Sequence, residues 1–286
     1  MVFSDGDFQI RKYEEGKFWQ VLMINNKLIF IKVKSSRNAD ELELSIELKS
    51  NEDIFDTDIE PIKKIVSDIF NLDFNLKFFY DEVKNDKIMS KLTKMLFGLK
   101  TPTTPTIFEA LVDSIVEQQI SLKAAHSIER KIVKKFGSAL NIERRVYYAH
   151  PTPEQLNNAS SDELRECGLS FRKVEYIKDI SKLIVERKLD LEKFKEYENI
   201  NEIIDELCKI RGIGKWTAEL TVIRGLNGFN SFPADDIGIR RVISHYYCND
   251  KRISAFDARK IAKKWGKWKG LAAFYLIIAE IQDIKI

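Results

Sequence analysis

The chain has 286 residues, about twice the ~150-residue prior for one domain, so two domains, or one with an appendage, is the starting expectation. Its composition, 44% hydrophobic and 32% charged with only 12 Gly and 6 Pro, supplies a real core and little turn punctuation; this excludes collagen, disordered and low-complexity chains and argues against an all-β fold. The formal net charge of +3 conceals a division: between Asn38 and Glu60 the charges are acidic apart from Lys49, and between Lys251 and Gly270 they are Lys251, Arg252, Arg259, Lys260, Lys263, Lys264, Lys267 and Lys269 against Asp257.

In chain order, the N-terminal stretch carries acids early and has no apolar signal core, and no later stretch approaches ~20 uncharged apolar residues. A soluble cytoplasmic protein without a membrane span is expected. Residues 1 to about 50 read as strands over Phe18–Met23, Lys27–Lys34 and Leu42–Leu48, the last alternating Leu42, Leu44, Ile46 and Leu48 with polar residues. Asn25-Asn26 suits a tight hairpin turn. After Asp58 the period becomes helical, with Pro61 in the first turn and Ile62, Ile65, Val66 and Ile69 on one face. Strand signals hardly recur beyond that point.

Two prolines among threonines make Leu99–Thr106 the clearest break, because they favour extended backbone. It divides a strand-rich domain with trailing helices, 1–100, from a helical domain, 101–286. Amphipathic helices are predicted at Ile107–Gln118, Leu122–Phe136, Ser161–Cys167, Ser170–Glu186, Ile200–Ile210, Lys215–Leu226, Asp236–Tyr246, Ala255–Trp265 and Leu271–Ile281. The fold class is α+β. Cys167, Cys208 and Cys248 lie too far apart for a disulfide framework or a four-thiolate site, so no Fe-S cluster and no structural zinc are expected.

The most informative stretch is Leu207-Cys-Lys-Ile-Arg-Gly-Ile-Gly-Lys-Trp-Thr-Ala218, two helices joined by Gly212-Ile213-Gly214. Glycines at such a turn let backbone amides at the next helix start approach a phosphate closely. A hairpin of this kind grips nucleic acid backbone without reading bases, and Gly212, Ile213, Gly214, Lys215 and Thr217 are the candidate residues for it. A Rossmann fingerprint would need a third glycine and a preceding strand, and a P-loop would need Ser or Thr where Trp216 stands. The alternative is that Gly212 only caps the preceding helix. The basic run after Lys251 would suit a polyanion, its alternative being an ordinary solvated helix face.

With its sequel, this segment resembles the helix-hairpin-helix (HhH-GPD) DNA glycosylase superfamily, most closely the 3-methyladenine DNA glycosylase II (AlkA-type) branch. The residues that carry the resemblance are Ile210-Arg-Gly-Ile-Gly-Lys-Trp-Thr-Ala-Glu219, Phe232-Pro-Ala-Asp-Asp-Ile-Gly-Ile-Arg240, Ile115-Val-Glu-Gln-Gln-Ile-Ser121 and Gly168-Leu-Ser-Phe-Arg-Lys173. It covers roughly residues 100–283 and implies excision of a damaged base from double-stranded DNA by a monomeric enzyme. The family's catalytic aspartate falls on Asp236, with Asp235 left as a helix N-cap. The position of the Schiff-base lysine of bifunctional members is Trp216, which implies a monofunctional hydrolase that leaves an abasic site.

Trp216 and Tyr275 would line the base pocket, and Gln119 would be the wedge that fills the space of the extruded nucleotide. The carbonyls of Cys208, Ile210 and Ile213 would hold a monovalent cation, Na or K; no other cofactor is implied. The C-terminal Trp265-Gly-Lys-Trp-Lys-Gly-Leu-Ala272 departs from the branch's pattern, with Lys267 for Pro and Lys269 for Arg. Two alternatives remain: an oxidised-base (8-oxoguanine) glycosylase with lyase activity, and a non-catalytic helix-hairpin-helix DNA-binding module.

Overall fold

The computed structural model describes residues 10–35 and 43–286. The N-terminal nine residues, and Leu42 with the acids Asp40 and Glu41, lie outside the described residues. A strand that periodicity does not announce, β1 (Arg11–Glu14), opens a four-stranded antiparallel meander in sequence order with β2 (Lys17–Ile24), β3 (Lys27–Ser35) and β4 (Leu44–Lys49). Asn25 and Asn26 both take left-handed backbone, φ 48° and 64°, and set Ile24 opposite Lys27. On the edge strand β4, Leu44 is exposed while Ile46 and Leu48 are half-buried.

The helices are, in order, α1 (Asp56–Phe70), α2 (Lys77–Val83), α3 (Lys87–Met95), α4 (Ile107–Val116), α5 (Leu122–Phe136), α6 (Pro153–Asn158), α7 (Ser161–Glu166), α8 (Phe171–Val185), α9 (Ile200–Cys208), α10 (Lys215–Leu226), α11 (Ile237–Cys248), α12 (Ala255–Ala262) and α13 (Lys269–Ile281). Their starts are set locally. Ser121, Thr152, Ser160, Ser170 and Ser254 each accept the amide three residues on, and the last of these, Thr152 and Ser160 close full capping boxes. The helix expected to run to Trp265 stops at Ala262, and a 3-10 segment, Lys263–Trp268, with Gly266 at φ 53°, buries Trp265 and Trp268 instead. No described helix is long and apolar enough to cross a membrane.

Contacts group the chain into two compact units: the residues up to Ile65 with Val116–Leu189, and Val66–Ile115 with Asp190–Ile286. The expected boundary at residue 100 therefore does not separate the packed units. The physical reason lies in the second unit, where Phe79, Val83, Met89 and Leu92 of α2 and α3 complete the core formed by Trp265, Leu271, Tyr275 and Leu276. The Leu99–Thr106 segment breaks the helical succession, as its prolines require, but it is a strap inside this unit. Thr101, Thr103 and Thr104 are buried, Thr103 bonds Asp68 and Ile69 carbonyls at 2.9 and 3.0 Å, and the Thr104 amide meets the Arg224 carbonyl at 2.9 Å.

The first unit contains a second correction. A hairpin of β5 (Ala139–Ile142) and β6 (Arg145–Tyr148) turns at Glu143-Arg144, φ 49° and 66°. Its Leu140 and Tyr147 pack with Val21 and Phe30 of the meander, with the Phe30 and Tyr147 rings 4.7 Å apart. It escapes a pattern search because its turn lacks glycine or asparagine and each strand has four residues.

Candidate active site

The hairpin predicted at Gly212-Ile213-Gly214 lies between α9 and α10. Ile210 and Ile213 continue the end of α9 with amide bonds to Leu207 and Ile210 carbonyls, both 3.1 Å. Gly212 then takes φ 87°, a left-handed conformation that a Cβ would strain. Ile213 is buried at the tip, packing inward as its apolar side chain requires. Gly214 is different: at φ −86° its backbone is ordinary, and a Cβ built there would meet nothing within 4 Å. Gly214 is the N-cap of α10 and, having no side chain, supplies no side-chain cap to that first turn. Helix N-termini carry the positive end of the helix dipole, so this opening favours an anion.

From the hairpin, α10 delivers Trp216 toward Asp236. The indole Nε1 donates to Asp236 Oδ2 at 3.1 Å, while Oδ1 accepts the Ile239 amide at 3.0 Å. Asp236 is thus itself the N-cap of α11, correcting the expectation that Asp235 caps it. The reason is backbone position: the half-in residue before Ile237 is Asp236. Each oxygen of this half-buried carboxylate accepts one neutral donor, and the two bonds together fix its orientation.

Asp235 is exposed and pairs with Arg259, its Oδ2 3.3 Å from Nη2. Arg259 also donates to both carboxylate oxygens of Glu219, at 3.0 and 3.4 Å, and to the Phe232 carbonyl at 2.9 Å. It thereby ties α12 to α10 and to the loop that presents Asp236. Burial pushes the Glu219 carboxyl upward, with Arg259 opposing. In the sequence Arg259 is one more cation of the basic run and Glu219 has no assigned role. No spacing signals this pair, since 40 residues separate them.

The other candidates divide clearly. Lys215 lines a polar cavity of about 290 Å³ with Asn201, Cys208, Glu219, Arg259 and Lys269, which Trp216 and Asp236 do not line. This fits the expected ~100° between adjacent helical positions. Thr217 turns its side chain into the core, 2% exposed, and so offers a partner no side chain. Tyr275 is corrected from pocket to core. Its ring is fully buried against Phe79, and its hydroxyl reaches the Leu99 carbonyl at 2.8 Å. Its position on the inward face of α13 is the cause.

Gln119 belongs to the first unit, exposed in the turn between α4 and α5 at φ 55°. Of the three carbonyls named for a cation, that of Ile210 already accepts the Ile213 amide. These neutral oxygens at a helix end are hard donors that suit a monovalent ion. The basic run is partly consumed inside the fold, since Arg259 is paired as above and Lys264 binds Asp86 at 2.9 Å.

A family model described as "HhH-GPD superfamily base excision DNA repair protein" matches residues 112–267. A DNA-3-methyladenine glycosylase of Bacillus subtilis is 29% identical over 258 residues, 90% of this chain and 80% of that protein. Among solved structures, a 3-methyladenine DNA glycosylase from Archaeoglobus fulgidus superposes with a TM-score of 0.82 at 28% identity, covering 95% of this chain and 89% of the other. A Schizosaccharomyces pombe 3-methyladenine DNA glycosylase in complex with abasic DNA gives a TM-score of 0.61 at 25% identity, covering 73% and 100%.

Proposed function

This chain belongs to the HhH-GPD superfamily of base excision DNA repair proteins, and on that premise we propose that it is a monofunctional DNA glycosylase that hydrolyses the N-glycosidic bond of alkylated purines of the 3-methyladenine and 7-methylguanine type. The relatives named above support the reaction class. The observation that carries the proposal to residues is the Trp216 to Asp236 hydrogen bond, 3.1 Å, directly behind the hairpin. Breaking the glycosidic bond builds positive charge on the sugar. A carboxylate fixed in place before the reaction stabilises that charge without reorganising during it.

DNA is the partner in this reading, held through its phosphates at the start of α10. The damaged nucleotide leaves the duplex and its base stacks on the Trp216 face. Alkylated purines are cationic, so cation–π attraction of ~1–2 kcal/mol adds to stacking. Gln119 fills the vacated space. The bond from the sugar carbon to the base breaks with its electrons going to the cationic base, which leaves neutral, while a water adds to the sugar carbon on the side of Asp236 and gives its proton to that carboxylate. No lysine occupies the position of Trp216, so no covalent protein–DNA adduct forms. The carbonyls of Cys208, Ile210 and Ile213 would hold a monovalent cation that neutralises a nearby phosphate. The enzyme acts as a monomer, in the cytoplasm with the chromosome.

The test is single-turnover base release from duplexes carrying 3-methyladenine, 7-methylguanine, hypoxanthine, uracil or 8-oxoguanine, developed with alkali. Asp236→Asn should lower release by roughly 10²–10³. Its stability should stay within ~1 kcal/mol of the parent, because asparagine is also a good cap. Asp235→Asn loses an exposed ion pair and should stay near the parent rate. Trapping of an adduct by borohydride would move the assignment to a lyase, and no release of any base would leave only the DNA-binding reading.

A further inference from the structure

Lys173, near the start of α8, is a buried lysine that the mechanism above does not use; it is 9% exposed. Its Nζ donates to the carbonyl of Val116 at 2.9 Å. Burial alone acts on its pKa, downward, and no carboxylate pairs with it among the described residues. A buried ammonium without a counter-ion is costly, and packing alone would be better served by methionine or leucine. What offsets the cost is the end of α4. The last carbonyls of a helix lack partners within it and carry the negative end of its dipole.

Val116 is the last residue of α4, and the turn it leads into carries Gln119. Within that turn the Ile120 amide reaches the Glu117 carbonyl at 3.4 Å, and Gln119 takes left-handed backbone at φ 55°. Its far end is fixed by Ser121, whose hydroxyl accepts the Ala124 amide at 3.3 Å to start α5. Lys173 holds the near end. All of these residues belong to the first unit.

We propose that Lys173 is a positioning residue for nucleotide extrusion: by clamping the C-terminal carbonyl of α4 it holds the Glu117–Ile120 turn so that Gln119 is presented ready to enter the duplex. This rests on the assignment of Gln119 as the wedge. An internal control exists in the same helix. Lys178 caps the end of α6 in the same manner, on the carbonyls of Asn157 and Ala159, and holds no proposed functional residue.

Lys173→Met, Lys178→Met and Gln119→Ala are compared by single-turnover release of one lesion placed opposite its normal partner or in a mismatch, with melting temperature measured for each. Extrusion costs less from a mismatch, so a positioning defect should show as a paired-to-mispaired loss of roughly tenfold for Lys173→Met, like that of Gln119→Ala. The double variant Lys173→Met/Gln119→Ala should lose no more selectivity than Gln119→Ala alone. Lys178→Met should lower the melting temperature and leave the paired-to-mispaired ratio unchanged. If Lys173→Met does not fold, Lys173→Gln, a weaker neutral donor, takes its place with the same expectation. Equal losses on both duplexes for the Lys173 variants, beside a selective Gln119→Ala, would overturn the proposal and leave the wedge assignment standing. An unselective Gln119→Ala would overturn the wedge assignment and the proposal with it.

Discussion

Gly212 and Gly214 stand two residues apart and answer to different demands. Gly212 is glycine because its φ of 87° would strain any side chain, so Gly212→Ala should cost stability by ~1–2 kcal/mol in chemical denaturation. Gly214 has ordinary backbone and open space where a Cβ would stand. Gly214→Ala should therefore leave the free protein's stability within ~0.5 kcal/mol, yet weaken binding to undamaged duplex, because the methyl group stands where a phosphate would approach the α10 amides. Equal DNA affinity of Gly214→Ala and parent, measured by fluorescence anisotropy, would show that this helix start does not face DNA. Trp216 has two separable roles as well. Trp216→Phe keeps a π face but removes the donor to Asp236 Oδ2. A hydrogen bond to a charged group contributes ~1.5–3 kcal/mol, so excision should fall by roughly 10–100-fold with DNA affinity unchanged.

Among the elements, α12 shows how a run of like charges separates once it is folded. Of the cations from Lys251 to Lys269, Arg259 and Lys264 are bound to Glu219, Asp235 and Asp86, whereas Lys251, Arg252, Lys260 and Lys263 remain exposed. Arg259→Met leaves Glu219, 4% exposed in its side chain, buried without its partner. The expected loss is about 2–3 kcal/mol, less than for a fully buried pair because a third of Arg259 is in water. Lys260→Ala should change stability by less than ~0.5 kcal/mol. Binding to duplex should weaken steeply with salt, by about 0.9 log units per phosphate contact for each tenfold increase. An affinity for duplex that barely changes between low and physiological salt would remove the phosphate-contact reading.

At the scale of the whole molecule, one aspartate in each compact unit ties together distant parts of its chain. In the first unit Asp58 accepts Asn25 Nδ2 and Lys27 Nζ at 2.8 Å and the Phe55 amide at 3.0 Å, fastening the β2–β3 turn to α1. Its carboxyl is held down to about 2, chiefly by Lys27. In the second, Asp86 caps α3 and accepts from Tyr247, Trp265 and Lys264. Burial raises its pKa, but these donors together bring it below the ordinary carboxylate range. For an acid whose folded pKa is depressed, the stabilisation is complete above the unfolded pKa and is lost as pH falls through the folded one. Stability should thus fall between pH 3.8 and about 2 through Asp58. Asp58→Asn should flatten that acid limb and leave the pH dependence above 5 unchanged, as followed by urea denaturation at each pH.

The sequence by itself determined what depends on neighbours within a turn or two. The limits of α5 and α10 are legible because Ser121 caps one and a glycine hairpin starts the other, and the Asn25-Asn26 turn fixes the β2–β3 register. The hairpin glycines and the loop bearing Asp236 are equally local, so the family and its reaction were readable from contiguous motifs. Only the tertiary structure decided which side chains meet across long stretches of chain. Trp216 finds Asp236 across 20 residues and Arg259 finds Glu219 across 40. Tyr275 goes to the core through its bond to Leu99, and residues 66–100 join the C-terminal helices because their apolar faces complete the core around Trp265. Such choices are made by burial and by the need of each buried polar atom for a partner, and neither leaves a period or a spacing in the sequence.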